Sequence, residues 1–102
     1  HKYKRDELIV KFMPLVENIA RKFKQSDAAS GVLSLSDCIQ FGNIGLVKAI
    51  DKIDWPTIVS SNDPEKTIKS FLSKRIRGTI RRSVDGNRTG MRIINLIVLT
   101  IN

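Results

Sequence analysis

Apolar residues return at helical spacing along most of this chain, and three such runs can be followed from its start to its basic C-terminal half. In the first, Leu8, Phe12, Leu15, Ile19 and Phe23 fall three or four residues apart, the repeat of one face of an α-helix. Pro14 stands inside that run. A proline in a helix interior forfeits a hydrogen bond and crowds the preceding turn, so a break or kink is expected near Phe12 and Met13, with Pro14 ending one helix and opening the next. After a loop-like stretch from Asp27 to Ser34, Ser36 and Asp37 read as the cap of a second helix reaching about Ile53. Its inner stripe is Ile39, Gly42, Leu46, Ala49 and Ile53, and its opposite face carries Gln40, Phe41, Asn43, Ile44 and Val47. Trp55-Pro56 and Ser60-Ser61-Asn62 mark a connector, with Trp55 either a small apolar anchor or a base-stacking ring.

The third run starts cleanly. Asp63-Pro64-Glu65 supplies a cap, a proline in the first turn and an acid at the positive end of the helix dipole. Ile68, Leu72, Ile76, Ile80 and Val84 form its stripe, and Asp85-Gly86-Asn87 reads as its stop. Gly78 inside this helix costs ~1 kcal/mol relative to alanine, for which close helix packing is the ordinary reason. The expected fold is all-α, a compact bundle of three principal helices, the first broken at Pro14 and the third strongly basic. Its core is expected from Leu15, Ile19, Phe23, Ile39, Leu46, Ile50, Ile53, Leu72, Ile76 and Ile80.

With 102 residues the chain has room for one modest hydrophobic core. The single cysteine, Cys38, excludes an internal disulfide, makes a thiolate metal cage within the chain unfavourable and suits a reducing cytoplasm. The longest apolar run, Ile93 to Ile101, is interrupted by Asn95 and Thr100 and is shorter than the roughly 20 residues of a membrane span, so no membrane partner is expected. Opening at His1 without a signal-peptide pattern, the chain reads as a piece of something longer.

Charge changes the picture more than composition does. Residues 1–65 are electrically neutral, whereas Lys66 to Arg92 holds nine basic residues against the single acid Asp85, the whole +8 excess of the chain. Surface helices normally intersperse both signs, so this asymmetry points to a surface that meets polyphosphate or an anionic membrane, the alternative being a solvated helix with unpaired cations. Lys74, Arg77 and Arg81 fall on one flank of the third helix, Arg75 and Arg82 on the other, and Arg88 extends the track.

Each of these three helices carries a string that resembles a known family. Asp37-Cys38-Ile39-Gln40-Phe41-Gly42-Asn43-Ile44-Gly45-Leu46-Val47-Lys48-Ala49-Ile50-Asp51-Lys52-Ile53-Asp54 resembles the "DLIQEGNIGLxKAxDKFD" helix of sigma-70 family transcription initiation factors. Pro14 to Phe23 is similar to their "LPLVxxIAxxx" helix, and Phe71 to Arg81 to their "YAxxRIRGAIxD" segment. The three strings stand in the family's order between about Asp6 and Arg92, which implies a region-two domain over residues 1–92, of the alternative or phage-encoded type, with residues 93–102 an apolar tail or the start of a further region.

The resemblance implies two partners. One is the core RNA polymerase, through the coiled coil of its largest subunit, met by Asp37, Gln40, Phe41, Asn43, Ile44, Val47 and Lys48. The other is promoter DNA, in particular the melted nontemplate strand of the minus-ten element, met by Ile68, Phe71, Lys74, Arg75, Arg77, Arg81, Arg82 and Arg88. A cytoplasmic, nucleoid-associated bacterial location follows. The residues fit both roles physically: amides and a lysine around Phe41, Ile44 and Val47 suit helix docking, although these apolar side chains also suit packing within the domain. Cations that follow phosphates, with an aromatic for a base, suit single-strand capture.

The chain also departs from the family. Phe41 stands where an acid is usual, Lys74 and Arg75 replace a tryptophan pair, Ile68 replaces an aromatic, and the connector from Asp54 to Ile68 is longer. Phe71 matches the base-capturing tyrosine, and is either that or core. No nucleophile with a base, glycine-rich phosphate loop or paired acids is visible, so a non-enzyme without cofactor or metal is expected. A polymerase-binding adaptor or inhibitor without strand capture, and a basic RNA-binding module, are the alternatives.

Overall fold

The computed structural model describes residues 4–25 and 33–101, and side chains over 4–25 and 33–86. It has four helices, α1 (Arg5–Gln25), α2 (Leu35–Ile50), α3 (Trp55–Val59) and α4 (Pro64–Ile101), and no strand among the described residues. The fold is all-α. Helix α2 lies against both α1 and α4, which also touch each other, and the short α3 rests on α4. Among the described residues no helix is long and apolar enough to cross a membrane.

Helix α1 does not break at Pro14. The helix runs through the proline without interruption, because Pro14 is exposed and Val10, four residues before it, is 69% exposed, so the carbonyl left without a donor is on the wet side. Its buried residues are Leu8, Phe12, Val16, Ile19, Ala20 and Phe23, with Asp6 and Glu7 in the first turn and Lys22 and Lys24 in the last, all suited to the dipole. Leu15, expected in the core, is half-buried, and Val16 is fully enclosed in its place.

The cap of α2 is Ser34, two residues earlier than Ser36. The Asp37 amide donates to Ser34 Oγ at 3.1 Å and the Ser34 amide to Asp37 Oδ2 at 3.4 Å, a reciprocal capping box that satisfies two end donors. The helix stops at Ile50 with Asp51 as its C-cap, an acid at the negative end of the dipole. Arg5 offsets it: its Nε and one terminal nitrogen donate to the two Asp51 oxygens at 2.7 and 3.3 Å, tying the start of α1 to the end of α2.

Close approach explains two glycines. A β-carbon on Gly42 would fall 2.6 Å from Val16 Cγ1 and 3.2 Å from Ile80 Cδ1, and one on Gly45 would fall 2.7 Å from Thr79 Oγ1. Gly78, expected at a tight crossing, is not at one; its β-carbon would meet only the Arg82 guanidinium, at 3.2 Å.

Trp55 is half-buried against the core, as an anchor of α3, and Asp54 accepts from Thr57 Oγ1 at 2.6 Å. Asp63 caps α4, accepting from the Lys66 amide at 3.2 Å, with Pro64 next. Ile68, Leu72, Ile76, Ile80 and Val84 are all at most 1% exposed, as the spacing predicts. Gly86 does not stop the helix, which continues to Ile101 across the expected boundary at residue 92. A β-carbon at Gly86 would meet no described atom within 4 Å, so no close approach calls for glycine there.

Candidate docking face and nucleic-acid interface

The burial of α2 divides it lengthwise. Cys38, Gly42, Gly45, Leu46, Ala49 and Ile50 turn inward, so at 100° per residue Gln40, Ile44 and Val47 must share the outward side. Gln40, Ile44 and Lys48 are exposed, while Asn43 and Val47 are half-buried beside them. Asn43, Ile44, Val47 and Lys48 line a shallow depression of about 340 Å³. Ile44 is 47% exposed, and next to it Asn43 Oδ1 is buried without a hydrogen-bond partner. An orphaned acceptor beside an exposed branched apolar chain is an unsatisfied surface.

Two expected docking residues have structural work. Phe41 is half-buried on the flank of this face and packs against the core, and Asp37 is spent in the capping box. Cys38 is fully enclosed, and burial pushes its thiol above the ordinary range, partly opposed by Lys24. Ionisation is thereby suppressed, so Cys38 is packing rather than chemistry.

Helix α4 presents its cations on two flanks. Lys74, Arg75, Arg77, Arg81 and Arg82 are all exposed, and Arg88 lies outside the described side chains. Thr79 points at Gly45 of α2, which fixes the flank of Arg75 and Arg82; the Arg82 guanidinium donates to Thr79 Oγ1 at 3.3 Å, and Thr79 donates to the Arg75 carbonyl at 3.0 Å. On that flank the Arg75 guanidinium carbon sits 4.9 Å from the centroid of Phe71, a cation–π pair. Phe71 is half-buried against the core, so it serves packing while its ring also meets the arginine. Ile68 is not a surface residue. At 1% exposed it belongs wholly to the core and has no face to offer a base, which corrects its place among the DNA contacts.

The other flank faces α1. There Arg77 and Arg81 join Lys22, Lys69 and Ser73 along a cleft of about 550 Å³ whose apolar lining is Leu15, Ile19 and Phe23. Lys22 and Lys69 are the residues that spacing alone does not select. Lys22 lies in the neutral half of the sequence, and only the side-by-side packing of α1 and α4, which run in the same direction, brings it to Arg81.

No family model, no curated protein and no solved structure matches this chain.

Proposed function

We propose that this domain is a sigma-like transcription initiation module, which docks on a bacterial-type RNA polymerase through α2 and binds the melted nontemplate strand through α4. The observation that carries the reading is the outward side of α2: Gln40, Ile44 and Val47 form one uncovered stripe beside the orphaned Asn43 Oδ1. A partner helix that seats an apolar chain on Ile44 and Val47 and donates to Asn43 would satisfy both wants at once. The strings that resemble sigma-70 factors fall on α1, on the helix that carries this stripe and on α4, and the concentration of positive charge on α4 suits a strand of phosphates.

The strand would lie along α4 with Lys74, Arg77, Arg81 and Arg82 at phosphates. Arg75 already covers Phe71, so an unstacked base would stack on the outer plane of the guanidinium or displace it from the ring. That occupied ring and the buried Ile68 also favour a second reading, an adaptor or inhibitor that binds polymerase without capturing a strand.

The test is co-purification with tagged bacterial core polymerase, followed by binding and transcription on premelted and fully duplex promoter fragments. Retention on polymerase with preference for the premelted fragment is expected. Val47→Glu, which places an unpaired carboxylate in the interface, should abolish retention with an unchanged helical spectrum. Retention without strand preference would select the adaptor, and no retention at all would refute the docking assignment.

A further inference from the structure

We infer that the cleft between α1 and α4 is a composite phosphate track, in which Lys22 of α1 and Lys69, Arg77 and Arg81 of α4 hold the sugar-phosphate backbone of a nucleic-acid strand. The inference deepens the nucleic-acid half of the function proposed above and rests on it. It adds a second helix to the contact and a flank separate from Phe71 and Arg75. Three observations converge. The four cations line one cleft of about 550 Å³, and among the described residues no acid lines it with them. They come from two helices, so the charge faces inward from both walls of a channel instead of radiating from one surface. On the α4 wall Lys69, Ser73, Arg77 and Arg81 recur every four residues, one donor about every 6 Å at 1.5 Å of rise per residue. That is comparable with the step between phosphates on an unstacked strand, and Asn18 and Ser73 add neutral hydrogen-bonding groups between the cations.

The cleft also has direction. Toward the start of α4 it continues into a hollow of about 570 Å³ that shares Lys69 and Asn18 but includes Asp63 and Glu65, and there Lys11 is paired with Glu65 at 2.6 Å. The acids mark where a polyanion stops being favoured. The track therefore runs from Lys69 toward Arg81, alongside the flank that carries Phe71 and Arg75 and not across it.

The experiment is a salt titration of the whole chain, without polymerase, against a fluorescent single-stranded oligonucleotide, with polyglutamate as a second anion. Lys22→Gln and Lys69→Gln are each expected to weaken oligonucleotide binding and to lower the log-log salt slope by up to about 0.7. Lys52→Gln, on the surface after α2, should change neither. Phe71→Ala should weaken binding and leave the slope nearly unchanged. If Lys22→Gln and Lys69→Gln bind with the parent slope while the Phe71 variant is weakened, the composite track is wrong and the proposed strand capture stands. Equal affinity for polyglutamate, with the same losses, would overturn the track as a nucleic-acid site, and failure of the parent chain to bind any oligonucleotide would overturn both.

Discussion

Adding one methyl group to a helix should stabilise this protein at Gly78 and destabilise it at Gly42, although both glycines are helical. Alanine in a helix interior is favoured over glycine by about 0.8–1.0 kcal/mol. At Gly78 the new methyl meets only Arg82, the far end of a flexible side chain, at 3.2 Å, so most of that gain should survive. At Gly42 it falls 2.6 Å from Val16 Cγ1, an enclosed β-branched chain with one strongly preferred helical rotamer. Overpacking a core typically costs about 1–3 kcal/mol, which offsets or outweighs the helical gain, so a net loss of up to ~2 kcal/mol is expected. For a domain of this size each kcal/mol moves the melting midpoint by about 4–8 °C, so thermal unfolding separates the two variants by sign. Val16→Ala removes the obstructing Cγ1, and Gly42→Ala should then cost much less, with a coupling of roughly 0.5–3 kcal/mol between the two sites. A Gly42→Ala variant that melts as high as Gly78→Ala, or effects that simply add, would refute the close crossing of α1 and α2.

Leu46→Ala and Ile76→Ala, each at a fully enclosed side chain, should cost about 2–5 kcal/mol in denaturant titrations. Ser34→Ala breaks the capping box and should cost ~1 kcal/mol, whereas Ser36→Ala, which the sequence alone would rank above it, should cost little. Burial raises the Cys38 thiol, so stability should be full below the ordinary thiol range and fall as pH climbs through it toward the raised folded value; Cys38→Ala should flatten that alkaline limb. Asp51 is held below the ordinary carboxylate value, first by the hydrogen bond from Arg5, so its contribution is present above that value and lost as pH falls through the lowered one; Asp51→Asn should remove that part of the acid limb.

How much of this was legible in the sequence depended on whether a residue's fate was decided along its own helix. The α4 stripe was fully readable because one apolar residue every fourth place leaves a single inward choice. On α1 and α2 the stripe turned slightly, enclosing Val16 and Cys38 where Leu15 and Ile39 were expected, because α2 is gripped between two helices and each inward arc must widen to reach both. The break expected at Pro14 is absent because the orphaned carbonyl is wet, which the sequence pattern alone does not reveal. Gly86 misled because a glycine that is permitted to end a helix is not obliged to. The outward stripe of α2 followed from its pattern, as did Asp37 at the cap and core packing as one reading of Phe41, whereas the cap at Ser34 in place of Ser36 did not. Lys22 needed the third dimension altogether.

The contact between Gly45 and Thr79 has a thermodynamic consequence. Gly45 is on the inner side of the helix whose outer side carries Gln40 and Ile44, and the side chain it touches accepts the hydrogen bond from Arg82 and donates to the carbonyl of Arg75. With no methyl group between backbone and threonine, a tilt of α2 toward α4 would press on Thr79 and, through its hydrogen bonds, on Arg75 and Arg82. Were two ligands bound, one on each helix, and each to bias such a tilt, they would act on a shared equilibrium. Whatever factor the first applies to the affinity of the second, the second must return to the first, and the pair is linked without either touching the other.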